Sequence, residues 1–404
     1  MRFLFAPYGT RGDVQPLISL ARTLEARGHA VRFLTPSNSV EWVRSYGFAC
    51  ESNGVDVEAE VRSIESDAAA MRGHLGRLRD DIVPRLFDGV SRAAVDADLL
   101  VSSGISLVEQ SVAEARGIPH VFALYCPAAL PNRASPPPIF ERQTLPRWVN
   151  AVLWPVMSRL GDLSLGPAIN RGRATLGLPH VRRPMTRLMT THILLAADPE
   201  LAPFAGRAPA TFLQTDPWIL RDHHPLDPRV EAFVRSGPPP VYVGFGSMVA
   251  KPSLDLGRRA LQAARSIGCR LIVAGGWASI DAGLSDSDSV LAISEAPHDR
   301  LFPHVAAAIH HGGAGTTTAA ARAGIPQIVV PHVLDQFYWA RRVEVLGLGP
   351  NPLPVREASA DALATRLAAV LCQPGFGDRA RDLASRAAHR DGVPAAVQYL
   401  ERLG

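Results

Sequence analysis

Between a short apolar run, Arg2–Tyr8, and an amphipathic stretch lies Gly9-Thr10-Arg11-Gly12-Asp13-Val14-Gln15-Pro16. Its glycines permit a tight turn with exposed amides, and Arg11 offers a planar cation suited to a diphosphate. Asp13 has two readings. It caps the free N–H groups at the start of a helix, or it takes a proton in a reaction. Placement at the carboxyl end of a strand leans toward chemistry and leaves both open.

A second segment, His310-His311-Gly312-Gly313-Ala314-Gly315-Thr316-Thr317-Thr318, links an apolar run to a helical pattern. Small residues let successive N–H groups approach a phosphate, and a helix N-terminus adds roughly half a positive charge. His311 is placed to donate a further hydrogen bond. Gly244-Phe245-Gly246-Ser247-Met248 ends another apolar run, with the Ser247 hydroxyl available to phosphate. In Pro331-His332-Val333-Leu334-Asp335-Gln336, Asp335 is a candidate helix cap, while Asp335 and Gln336 together supply the acceptors and donors that sugar hydroxyls need.

Other chemistries lack their motifs. No G-x-x-x-x-G-K-[ST] occurs, no G-x-G-x-x-G follows the first apolar run, and G-x-S-x-G is missing. Asp286-Ser287-Asp288 formally matches a metal-binding D-x-D, but it sits in a Ser/Asp-rich stretch that reads as a solvated loop. No clustered His/Asp/Glu set suggests a metal elsewhere.

These loops must be held by larger elements, and 404 residues exceed the size at which one core usually stops growing. Apolar runs alternate with helical patterns, the signature of α/β domains with parallel sheets. The first half predicts strands at Arg2–Tyr8, Ala30–Thr35, Asp98–Ser103, His120–Tyr125 and His192–Ala197. The second half restarts with Val241–Gly246, Arg270–Ala274, Val290–Ile293, Ala306–His310 and Gln327–Val330, and predicts helices over Leu254–Ser266, Thr316–Ala323 and Gln336–Leu346. Asp216–Pro240, rich in proline, reads as a semi-rigid linker, so the expected domains are 1–219 and 220–404. The tail Ala380–Gly404 reads as helical and able to cross back to the first domain. Two facing doubly wound domains create a cleft at the carboxyl ends of their strands.

One segment breaks the rhythm. Ala128–Pro146 is proline-rich, and Trp148, Val152, Val156 and Leu160 then recur at four-residue intervals, with Pro155 expected to kink the helix. Such a face usually packs on a core. The alternatives are an apolar wall for a hydrophobic acceptor or a peripheral membrane contact.

A net charge of +4 with scattered basic residues argues against a nucleic-acid partner. Cys50, Cys126, Cys269 and Cys372 lie far apart, which favours a reducing compartment and gives no structural zinc. The N-terminal apolar run is too short for a signal peptide, and no run approaches the roughly 20 apolar residues of a membrane span. A cytoplasmic location follows as the expectation. Nothing in the residues assigns an oligomeric state.

The Gly9–Pro16 loop, Val241–Met248, Pro297-His298-Asp299-Arg300-Leu301-Phe302-Pro303 and the His310–Thr316 turn occur in an order that resembles the inverting GT-B glycosyltransferases. These include sterol glucosyltransferases and the enzymes that glycosylate vancomycin-group antibiotics. The resemblance spans the chain, loosely from about residue 50 to 235, and Phe212–Trp218 departs from the Gly-Tyr/Trp pattern of relatives. It implies two facing Rossmann-like domains, with Asp13 as general base on the acceptor hydroxyl. Thr10, Arg11, Gly12, Ser247, His311, Gly313, Ala314, Gly315 and Thr316 would lie at the donor diphosphate, and Asp335 and Gln336 at the donor sugar. Trp277 and Ala296 would border the base, and Trp148 and Val152 the acceptor. No cofactor is implied, the co-substrate being a uridine- or thymidine-diphosphate sugar and the other partner a small-molecule acceptor. Two rivals are a nucleotide-sugar epimerase of the same architecture and a non-catalytic auxiliary protein.

Overall fold

The computed structural model describes residues 1–404 apart from 65–67, 189–190, 209–210, 222–224, 247–254 and 277–285, and the side chains of 62–72. Seven strands form the first sheet: β1 Arg2–Tyr8, β2 Ala30–Thr35, β3 Ala49–Ser52, β4 Leu99–Gly104, β5 His120–Leu124, β6 His192–Ala196 and β7 Phe212–Thr215. Their order is β3-β2-β1-β4-β5-β6-β7. Five strands form the second: β8 Val241–Gly244, β9 Leu271–Ala274, β10 Val290–Ile293, β11 Ala307–His310 and β12 Gln327–Val329, ordered β10-β9-β8-β11-β12. Every pairing within the two sheets is parallel. Both are doubly wound sheets, and the order reverses between β1 and β4 and again between β8 and β11. A crevice opens at such reversals, outside the carboxyl ends of the strands.

Local chemistry explains the elements on each side of the crevice. In the helix Arg11–Ala26, Val14, Leu17, Ile18, Leu20, Ala21 and Leu24 are buried at the three-to-four-residue spacing of one helical face. They pack on Phe3, Phe5 and Val101 of β1 and β4. The last helix, Val393–Glu401, places Val393, Ala396, Val397 and Leu400 in this same core, although it is the C-terminal element of the chain. The two valines and the leucine contribute about 1.5–3 kcal/mol of burial each, enough to hold the helix on this core. Glu401 adds contacts to Arg27 at 2.9 Å and His29 at 3.0 Å.

Three expectations change. Asp216–Pro240 is no bare linker: Trp218 is buried in the first core, its indole N–H donating to Thr215 Oγ1 at 3.0 Å, and Pro228–Arg235 forms a helix that buries Val230 and Phe233. The strands β3 and β7 escape sequence reading because each has only four residues and buries just one.

The third concerns the helix after the proline-rich segment. It runs from Arg147 to Thr175 without ending at Pro155 or Pro167. Trp148 (72% exposed), Val152, Val156, Leu160 and Leu163 point to solvent, while Asn150, Asp162, Leu165, Ala168 and Ile169 face inward. The apolar stripe therefore does not pack on the core. Asn150 instead turns inward because its amide donates to the carbonyls of Arg133 and Leu145 in the preceding segment.

Candidate active site

Asp13 sits at the third position of its helix, and Thr10, not Asp13, is the N-cap. The Asp13 carboxylate reaches back to accept the Thr10 N–H at 2.8 Å, so it does satisfy a helix-start donor. The main-chain oxygen of Asp13 accepts from Ser103 Oγ at 2.8 Å and Tyr125 Oη at 3.3 Å. Sequence reading misses both hydroxyls; the signal available was their place at the ends of β4 and β5. Burial first, and the charge of Asp335 with it, push the Asp13 carboxyl up to about 7 against the pull of the Thr10 N–H.

Asp335 reaches this point from the second sheet, in the loop after β12. It occupies the N-cap position of Gln336–Val345 without making a capping hydrogen bond, and instead accepts the Trp339 indole N–H at 3.2 Å. Burial raises its carboxyl to about 6. Gln336 folds back into its own loop, where Oε1 accepts the N–H groups of His332 (2.8 Å) and Val333 (3.2 Å).

The His310–Thr316 turn joins β11 to the helix Ala314–Arg322, with Gly313 as N-cap. The Thr317 N–H closes on the Gly313 carbonyl at 2.9 Å, so the amides of Ala314, Gly315 and Thr316 are the orphan donors of the first turn. His310 is the brace of this turn: its ring donates from Nε2 to Gln327 Oε1 at 2.9 Å and accepts the Gly312 N–H on Nδ1 at 3.1 Å. His311 is half-buried and held neutral, its ionisation pushed well down first by burial and then by His310, His332 and His298. Its Nδ1 has no partner among the described residues. The ring lies so close to Gly313 that a Cβ there would overlap Nε2. His332 donates from Nδ1 to the Val330 carbonyl at 2.8 Å, leaving a buried Nε2 without a partner among the described residues.

Arg11 spans the crevice. Its guanidinium pairs with Glu295, beyond β10, and lies 4.6 Å over the Trp42 ring. Ala296, next to that partner, is half-buried beside the second core. Asp286 is engaged by Arg229 and by the Ala292 N–H, as a structural loop residue would be. Ser247 and Trp277 lie outside the described residues. Trp148 and Val152 stand exposed on the long helix. Among the described residues no group of three His, Cys, Asp or Glu could hold a metal ion, and no helix is long and apolar enough to cross a membrane.

Comparison with known proteins bears on the family and the fold. Residues 3–123 match the glycosyltransferase family 28 N-terminal domain, and residues 282–403 match the erythromycin biosynthesis protein CIII-like C-terminal domain. The chain is 37% identical to glycosyltransferase GtfE of Amycolatopsis orientalis over 99% of its length and 97% of the relative's. It is 37% identical to the vancomycin aglycone glucosyltransferase of the same organism, covering 91% and 90%. A sterol 3-beta-glucosyltransferase of Arabidopsis thaliana is 28% identical, covering 98% of this chain and 66% of that one. Among solved structures, glycosyltransferase VinC with bound thymidine diphosphate has a TM-score of 0.71 at 20% identity, covering 100% and 99%.

Proposed function

The chain belongs to the GT-B glycosyltransferases, and from that premise we propose that it moves a hexose or deoxyhexose from a thymidine- or uridine-diphosphate sugar to a hydroxyl of a hydrophobic small molecule, with inversion and without a metal. The reading rests on one observation above all. The Asp13 carboxyl, after the carboxyl end of β1, is raised by burial and by the charge of Asp335, which follows β12, and the glycine-lined helix start at Ala314 follows the neighbouring strand β11.

In this scheme the acceptor oxygen attacks the anomeric carbon while its proton passes to Asp13. The bond from that carbon to the diphosphate breaks, and its electron pair leaves with the phosphate oxygen. In-line displacement inverts the centre. A positioned base contributes about 10²–10⁴-fold. The departing charge would be met by the amides of Ala314, Gly315 and Thr316 with His311, fixed donors that need no reorganisation as charge develops. A neutral His311 still donates one N–H. Thr10, Arg11 and Gly12 would close over the diphosphate from the first domain, with Ser247 beside it and Trp277 and Ala296 near the base. Asp335 and Gln336 would contact sugar hydroxyls.

Residues 1–219 are assigned to the acceptor and 220–404 to the donor. Relatives named for the vancomycin aglycone and for sterols favour a hydrophobic natural-product or lipid acceptor. The outward stripe at Trp148 and Val152 suits an acceptor wall or a membrane contact. Four unpaired cysteines suit the cytoplasm.

The test is incubation with thymidine- and uridine-diphosphate glucose and a panel including the vancomycin aglycone. Nucleotide release should depend on acceptor, survive chelation, and yield a β-glycoside from the α-linked donor by NMR. Retention, or a strict divalent-metal requirement, would overturn the mechanism. A new nucleotide sugar formed without any acceptor would point to the epimerase.

A further inference from the structure

A cavity of about 420 Å³ lies at the seam of the two domains, walled by the 127–147 segment on one side and by the Gln336–Val345 helix on the other. This is the size range of small-molecule sites. Two of its lining residues are close in sequence to the candidate reacting groups. Pro127 follows Tyr125, whose hydroxyl holds the Asp13 carbonyl, by two residues, and Tyr338 lies three residues along the helix from Asp335. By contrast, the pocket around buried Arg173 measures about 20 Å³ and has room for a single water.

The lining of the seam cavity has one sign of charge. Arg147, Arg341 and Arg342 contribute guanidinium groups, and no aspartate or glutamate lines it. Arg342 is committed, donating to the Leu201 carbonyl at 2.7 Å. Arg341 is half-neutralised by Glu344, which stands outside the lining. Arg147 pairs with no carboxylate among the described residues. Apolar surface comes from Leu145, Pro203, Ala205 and Val345. Gln143 adds a polar feature: its Nε2 donates to the Phe140 carbonyl at 2.6 Å, which fixes the amide, and its buried Oε1 then has no partner among the described residues.

From this lining, and resting on the glycosyl-transfer reading above, we infer that the seam cavity binds the acceptor and selects one bearing a carboxylate, which Arg147 and Arg341 receive. The apolar body of the molecule lies on Leu145, Pro203 and Val345, and its reacting hydroxyl extends toward Asp13. A carboxylate held by guanidinium groups forms charge-assisted hydrogen bonds that a neutral ester cannot reproduce.

The test uses 6-hydroxy-2-naphthoic acid and its methyl ester as matched probes in calorimetric titrations, with thymidine diphosphate titrated into the same preparations. The acid should bind the wild type about tenfold or more tightly than the ester. In Arg147→Gln/Arg341→Gln that preference should fall to within about twofold, and intact nucleotide binding shows that the variant is folded. Equal affinity in the wild type, binding of neither probe, or a preference that survives in the variant overturns the carboxylate site. Failure of the parent reading looks different: the acid is preferred, yet the wild type binds no nucleoside diphosphate and transfers no sugar.

Discussion

Gly104 lies against Asp13: a Cβ added at the end of β4 would stand 3.1 Å from Asp13 Cγ and would overlap the Tyr8 carbonyl. The residue also adopts φ +73°, where a side chain is strained. The carboxylate is thus seated against bare backbone at the point where the strand order reverses. Gly104→Ala is expected to lower kcat about 100-fold or more, because a displacement of about 1 Å at a reacting group can cost that much. Thymidine diphosphate affinity, measured by titration, should stay within about twofold, since the nucleotide is assigned to the other domain. Unchanged kcat would remove Gly104 from the positioning of Asp13.

Asp13→Asn keeps the shape and an acceptor oxygen for the Thr10 N–H but cannot take a proton. Transfer should fall by about 10²–10⁴-fold while nucleotide binding persists. Normal turnover would exclude Asp13 as the base.

The same substitution has a stability signature. Because folding raises the Asp13 carboxyl to about 7, the folded state favours the protonated form. Its contribution is present at low pH and lost as pH rises through about 7, where a buried charge must be carried. Asn carries no such charge. The Tm of Asp13→Asn relative to wild type should therefore be higher at pH 8.5 than at pH 5.5, by about a few degrees. A difference independent of pH would mean that Asp13 ionises freely.

The acid limb of the kcat/KM profile is expected near pH 7, activity falling as Asp13 takes up its proton. Asp335→Asn removes the like charge across the crevice, so the limb should move to lower pH even as overall activity drops. Movement in the opposite direction would show that Asp335 does not act on Asp13 as a negative charge.

At the His310–Thr316 turn, Gly313→Ala must displace the His311 ring, and His311→Ala deletes it. Both should weaken thymidine diphosphate binding, by about tenfold for the deletion, the loss of one strong hydrogen bond to a charged group. By contrast, Glu295→Gln removes an exposed ion pair with Arg11, side chains 67% and 48% accessible, and should leave Tm within about 2 °C.

What the amino-acid order determined is local. The apolar run, glycine turn and helix start recur twice, and each is specified within about ten residues by strand propensity, backbone freedom and helix-end chemistry. Asp13 and the His311 turn stand inside those units, and Asp335 at the start of the helix after β12. Tertiary structure decided what covers each surface. Periodicity made Trp148, Val152, Val156 and Leu160 one face but could not say that the face is bare, because burial depends on partners far along the chain. It likewise took the fold to seat Trp218 and Leu400 in the first core and to bring Ser103 and Tyr125 onto the Asp13 carbonyl. Only the docking of two sheets, whose approach is governed by contacts between distant segments, set the charge of Asp335 against that of Asp13.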